Sequence, residues 1–256
     1  MAKDYAEEIE EVRKTEDKNY LESRKLLGET VSLIHDLINL YDLIGEIIED
    51  SKIKAKKESV AAFKFMLACR YYLMIGTLAC LRGHLTDSFS FTRNAIEVSG
   101  YAFKVKKHPH LTKILIDAAN HNESYLIFNQ KYKIGKTFAI KNDILQRLYK
   151  CYEYCFKSIH PSIYSFDKRV TFHRIEESII INISFDNFEL KNNYPSDLIR
   201  TFLWIIHTHF TIIELFEEIF KNVIKTSEIK WDFNSNSVKE KIQFHKTKWK
   251  GFWEEP

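Results

Sequence analysis

The sequence predicts an all-α, single-domain multi-helix bundle with at most one small β-hairpin near residues 169–185. Three observations predict it. Glycine and proline number 7 and 4 in 256 residues, together roughly a third of their usual share and too few for a turn-rich β architecture. Apolar residues recur at three- and four-residue steps over long segments, the period of amphipathic helices. One segment, Val60–Leu81, is apolar nearly all round with only Lys64 and Arg70 charged, the pattern of a helix in the middle of a bundle.

Taken in order, residues 1–20 are mostly charged or polar and read as a helical lead-in. Leu21–Asp50 reads as one long helix, with Leu27, Val31, Ile34, Leu37, Ile38, Tyr41, Ile44 and Ile48 on its core face. The basic connector Ser51–Ser59 reads as a solvated loop. Val60–Leu81 and Leu85–Lys107 then form an antiparallel hairpin around the break Arg82-Gly83-His84. Pro109 stops the second helix, because its ring removes a donor and clashes with the preceding turn. Leu111–Ala119 and Glu123–Tyr132 are shorter amphipathic helices separated by the Asn120-His121-Asn122 turn. Lys133–Lys141, with Gly135, reads as a loop.

Asn142 or Asp143 caps a helix that runs to about Ser158, ending at Ser158-Ile159-His160-Pro161-Ser162. Arg169–His173 and Ser178–Phe185, around Glu176-Glu177, carry the hairpin signal. Pro195-Ser196-Asp197 opens the last long helix, Asp197–Lys225. The division is therefore a lead-in (1–20), a bundle domain (21–225) and a tail (226–256) with Trp231, Trp249, Phe252 and Trp253 among lysines. The tail is read either as a strap folded back on the bundle or as the place where a protein partner binds.

Charge excludes little and suggests less. With 38 basic against 35 acidic residues, net +3, nucleic-acid binding needs a local patch, since the general balance supplies no field for it. The start MAKDYAEEIEEVRK lacks the apolar core of a secretory signal. The run Tyr71–Leu81 is about half the ~20 residues of a membrane span, and Leu198–Phe216 is interrupted by Arg200, His207, His209 and Glu214. A cytoplasmic protein without a membrane partner is the expectation. Cys69, Cys80, Cys151 and Cys155 fall in apolar helical patterns without close CxxC spacing and read as buried reduced thiols. His108-Pro109-His110 resembles a metal motif, but proline holds the pair out of helical spacing, so no metal is expected there. Phosphate-binding glycine loops, HExxH and GxSxG are absent, and no cofactor is expected.

One polar constellation remains. In the helix beginning near Leu85, Thr86, Ser90, Arg93 and Glu97 follow at steps of four, three and four, hence on one face. Phe89, Ile96 and Phe103 mark the apolar side, and Asn94 adjoins the polar stripe. The plain reading of Arg93 and Glu97 is an i,i+4 pair, worth a few tenths of a kcal/mol when exposed. The functional reading adds His160 from another helix end. A guanidinium binds oxyanions in bidentate fashion, a carboxylate orients it, and an imidazole carries a proton. That set suits an anionic ligand or a phosphodiester, with Ser90 and Asn94 as further ligand contacts.

TRNAIEVSGYAF after an apolar helix, followed by a helix ending in SIHPS, resembles a group of bacterial and phage-borne helical proteins. These have an R-x-x-x-E helix and a Ser…His-Pro turn, and are similar in outline to the HEPN superfamily of small helical bundles. The resemblance covers roughly Val60–Lys225. Many HEPN proteins are RNases of toxin–antitoxin and phage-defence systems. The resemblance therefore implies an accessory or defence role and a metal-independent RNase, with Arg93, Glu97 and His160 as catalytic residues and a homodimer sharing a composite site. In catalytic members four to six residues stand between the arginine and a histidine; here positions 98–100 are Val98, Ser99 and Gly100. Arg200 and His207 match the spacing in a core-rich helix and count as background. The alternative reading is a non-enzymatic domain that recognises RNA, a nucleotide or a protein through the same cleft.

Overall fold

The computed structural model describes residues 5–51, 57–118, 127, 130–131, 133–139, 141–159, 170–175, 178–183 and 194–252. Over these residues the chain is a multi-helix bundle with one two-stranded hairpin. Its elements are α1 (Tyr5–Leu27), a 3-10 turn (Gly28–Val31), α2 (Ser32–Asp50), α3 (Lys57–Leu81), α4 (Leu85–Lys107) and α5 (Leu111–Ala118). They continue with α6 (Ile134–Phe138), α7 (Asp143–Ile159), β1 (Val170–Ile175), β2 (Ser178–Ile183), α8 (Tyr194–Ile219), α9 (Lys221–Ile224), a second 3-10 turn (Lys225–Ser227) and α10 (Glu228–Lys248). The strands pair antiparallel, Val170 opposite Ile183 and Ile175 opposite Ser178, within the window that alternation marked.

The frame is the α3–α4 hairpin. α3 ends in a Schellman motif: the His84 N–H donates to the Ala79 carbonyl at 2.8 Å and the Gly83 N–H to Cys80 at 3.2 Å. Between them Gly83 takes φ +95°, a conformation glycine adopts without a Cβ penalty. Gly83→Ala is expected to lower the unfolding free energy by about 1–2 kcal/mol, measured by urea titration. Beyond the turn the helices meet through small side chains. Ala62, Cys69, Gly76 and Cys80 of α3 face Ser88, Thr92, Ala95, Ser99 and Ala102 of α4, all buried. The seam carries polar atoms that satisfy themselves locally. Thr92 donates to the Ser88 carbonyl at 2.8 Å, Ser99 to Ile96 at 2.8 Å, and the Cys69 thiol to Ala95 at 3.3 Å. Hydroxyls bonded back into their own helix need no partner across the interface.

Several readings change. The helix expected over 21–50 divides at Gly28, whose φ of +54° starts the 3-10 turn and re-aims α2. The charged lead-in is helical as expected and forms the first part of α1, which packs on the α3–α4 turn: the Asn19 amide donates to the Arg82 carbonyl at 3.2 Å, and His84 Nε2 lies 2.7 Å from Glu16 Oε1. Within 133–141, read as a loop, Ile134–Phe138 is helical because Thr137 and Phe138 bury themselves against α4 at Gly100. A Cβ there would lie 3.1 Å from both side chains, so the close approach requires glycine. The last long helix stops at Ile219, where Phe220 (φ −101°, ψ 12°) leaves helical geometry. All but residues 127, 130 and 131 of the expected 123–132 helix, and residues 52–56 of the Ser51–Ser59 connector, lie outside the described residues, while 57–59 open α3.

α8 is the core helix: 78% of its apolar span is buried, and Phe202, Ile206, Ile213 and Phe216 are inaccessible or nearly so. α8 and α3 are also long and apolar enough by composition to cross a membrane, but α3 differs sharply, with 39% of its span buried. The sequence places it at the centre of the bundle; instead its small-residue face packs on α4, its flanks meet α8 and α2, and only the stripe opposite α4 stays open.

α10 lies along α2. Trp231, Val238 and Ile242 enter the main core, and ion pairs Lys230–Glu46 (2.9 Å) and Lys241–Asp36 (3.0 Å) cross the exposed side. Near its end a relay closes on the first 3-10 turn. Trp249 Nε1 donates to Thr30 Oγ1 at 3.0 Å, and Thr30 Oγ1 lies 3.1 Å from His245 Nδ1. The indole is the donor to the threonine oxygen, while the direction of the bond between Thr30 and His245 follows the imidazole tautomer.

Candidate functional site

The α3–α4 packing fixes the rotation of α4, burying Phe89, Ile96 and Phe103 and turning Arg93 and Glu97 towards α7. Arg93 Nε donates to Glu97 Oε1 at 2.9 Å, and an Nη donates to the Tyr152 hydroxyl at 3.2 Å. Arg93 thus bridges Glu97 of its own helix and Tyr152 of α7, and the triangle of three groups lies between two helices. The guanidinium carbon lies 5.2 Å from the Tyr152 ring centre and 5.7 Å from that of Phe156, within cation–π range.

The triangle sits at the edge of an aromatic row. Tyr149, Tyr152 and Phe156 follow at steps of three and four along α7, hence on one face. Tyr149 and Tyr152 are stacked with centres 6.3 Å apart, and Phe138 stacks on Tyr152 at 6.5 Å. Gly100 thus reaches the site indirectly, by letting Phe138 approach. Tyr149 and Phe156 are exposed while Arg93 and Tyr152 are half-buried, so the row is open on one side.

Partial burial disfavours the Arg93 charge, but Glu97 and Tyr152 outweigh it and hold the guanidinium above its ordinary range. Burial first, and the Glu97 charge second, raise the Tyr152 phenol, which stays protonated. Beneath the row Cys155 is pushed well up by burial, and Cys151 to about 11 for the same reason. Both are buried thiols, as are Cys69 and Cys80. A protonated buried thiol is neither a nucleophile nor a metal ligand.

The other sequence-derived candidates are distributed as follows. Ser90 is half-buried and donates to the Thr86 carbonyl at 3.4 Å, so its hydroxyl turns along its own helix. Asn94 is exposed one position past Arg93. His160 lies outside the described residues, one position beyond the end of α7. Arg200 is exposed and His207 half-buried on α8, a helix whose neighbouring positions are core. His108 and His110 are exposed with ring centres 6.0 Å apart. Among the described residues no group of three His, Cys, Asp or Glu is placed to hold a metal ion.

Tyr152 and Phe156 fall within the apolar period of α7. Their spacing with Tyr149 could have flagged an aromatic row, but only the fold shows that the row meets Arg93. The chemistry available is recognition: an ionic donor fixed by a carboxylate, beside flat apolar faces open to solvent. No family model matches the chain, and neither a curated protein nor a solved structure matches it.

Proposed function

We propose that this is a HEPN-like helical protein of a bacterial or phage accessory or defence system that binds RNA or a nucleotide at the Arg93–Glu97–Tyr152 cluster. The observation that carries the reading is the guanidinium held by Glu97 over the α7 aromatic row. Arginine supplies a phosphate with directed donors, while exposed aromatic faces stack bases without regard to sequence, a combination typical of single-strand binding. Glu97 anchors Arg93 through Nε and so fixes the direction of its remaining N–H groups. Metal-independent cleavage is the further step implied by the resemblance; it needs a proton carrier, for which His160 is the candidate.

The test is fluorescence anisotropy with a labelled single-stranded RNA of mixed sequence. Wild-type protein is expected to bind with an affinity that falls as salt rises. Arg93→Ala and Phe156→Ala are each expected to weaken binding by about tenfold or more, with unchanged circular dichroism. Equal affinity of wild type and Arg93→Ala would remove the cluster from consideration. Cleavage in the presence of a chelator, lost in Arg93→Ala and in His160→Ala, would convert the binding reading into the enzymatic one.

A further inference from the structure

α3 carries two opposed seams. One is the small-residue seam buried against α4. The other consists of Val60, Lys64, Leu67, Tyr71, Met74 and Leu78, which follow at steps of four, three, four, three and four on the opposite side. Its five apolar members are 41–57% exposed, on the helix whose apolar span is the less buried of the two long apolar helices. An alternation of three and four is the a/d register that one helix presents to another in knobs-into-holes packing. The five side chains leave on the order of 400 Å² of apolar surface uncovered, the size at which a contiguous patch marks an interaction face.

Arg70, beside the seam, is held by Asp42 of α2 through bonds of 2.7 and 3.0 Å, and its guanidinium also touches the Met74 sulfur at 3.4 Å. Lys64 is the one charged residue within the seam.

We propose that the outer face of α3 is the docking surface for a second copy of this chain, joined antiparallel about a two-fold axis. The charge pattern selects that orientation. A parallel pair in register sets the two Lys64 ammonium groups against each other. The antiparallel pair places Val60 opposite Leu78, Lys64 opposite Met74 and Leu67 opposite Tyr71. It separates the two lysines by ten residues, or about 15 Å along the helices, beyond the screening length of about 8 Å at physiological salt. Each Lys64 then lays its aliphatic stem on a Met74 of the other copy with its ammonium in water. An isologous face of this kind is self-complementary and closed, so it gives a dimer and stops. With half-buried Phe63, Tyr72 and Ile75 alongside, the contact approaches the ~800 Å² per partner of a stable association. A lipid surface would be served by any apolar face and imposes no heptad phase. This inference is independent of the reading of Arg93.

Sedimentation equilibrium of the full chain at micromolar concentration tests it. Wild-type protein is expected at twice the chain mass. Leu67→Glu, and separately Tyr71→Lys, are expected to raise the dissociation constant at least a hundredfold with circular dichroism unchanged. Met74→Glu is expected to keep or tighten the dimer, because the new carboxylate meets Lys64 of the other copy. A monomeric wild type, or a dimer insensitive to both seam variants, overturns the proposal, and a monomeric Met74→Glu overturns the antiparallel register. A monomeric wild type that cosediments with phosphatidylcholine vesicles, and loses this in Leu67→Glu, assigns the face to a membrane instead.

Discussion

Trp231→Ala lowers the unfolding free energy by about 3–5 kcal/mol, the range for truncating a large aromatic side chain in a core. Trp231 is 1% exposed, the largest of the fully buried side chains, and the point at which α10 is keyed into the bundle beside α2. A domain of ordinary stability has about 5–15 kcal/mol in hand, so this one change removes a large fraction of it. Trp231→Phe separates the causes. The indole N–H finds no acceptor among the described residues, so losing it leaves no orphaned partner, whereas an aromatic ring still fills most of the space. Its expected cost is less than half that of the alanine variant. Urea denaturation followed by circular dichroism measures both. A loss below about 1 kcal/mol for Trp231→Ala, at the low end for any core deletion, would mean that α10 is not docked in solution.

Acid weakens the protein through His209, and the expected loss begins near pH 6.5. The ring is inaccessible, its Nδ1 lies 3.2 Å from the Tyr41 hydroxyl, and its Nε2 has no partner among the described residues. Burial pushes its pKa down to about 3, while in the unfolded chain it titrates near 6.5. Between those values the unfolded chain binds a proton that the folded one refuses. The stabilisation is therefore complete above pH 6.5 and is lost as pH falls towards 3, by about 1.4 kcal/mol per pH unit. His209→Gln retains an acceptor for Tyr41 and cannot titrate. Relative to that variant, wild type is expected to lose about 2 kcal/mol between pH 6.5 and 5, a window above most carboxylate titrations. Parallel stability curves for the two proteins in that window would show that water reaches the ring.

Where one face of a helix is apolar and the other polar, the sequence was a good guide. Ile34, Leu37, Tyr41 and Ile44 of α2, and Phe202, Ile206, Ile213 and Phe216 of α8, are buried where the period places them. α3 defeated the same argument because its two faces are alike in hydropathy and differ in size. Ala62, Cys69 and Gly76 admit another helix closely, whereas Leu67, Tyr71 and Met74 stand proud; a pattern of apolar letters does not record that difference. The break at Gly28 was missed because glycine within a continuing period is often tolerated, and its φ is settled by tertiary docking. The Arg93–Glu97 pair was legible from spacing alone. Its aromatic surroundings were not, since Tyr152 comes from a helix whose rotation is fixed by the burial of Leu145, Leu148, Cys151 and Cys155.

The relay from Thr30 to His245 and Trp249 spans 215 and 219 positions of the chain, with a consequence for synthesis. A ribosome adding about 5–20 residues per second completes α10 roughly 10–40 s after the segment it covers. During that interval the α10-facing side of α2 is wet and open to other nascent chains. Closing so long a loop also comes late in folding, because its entropy must be offset before the contact forms. The newborn chain is therefore most exposed to aggregation until α10 is made and docked, and a message truncated upstream of Trp231 yields a product that never leaves that vulnerable state.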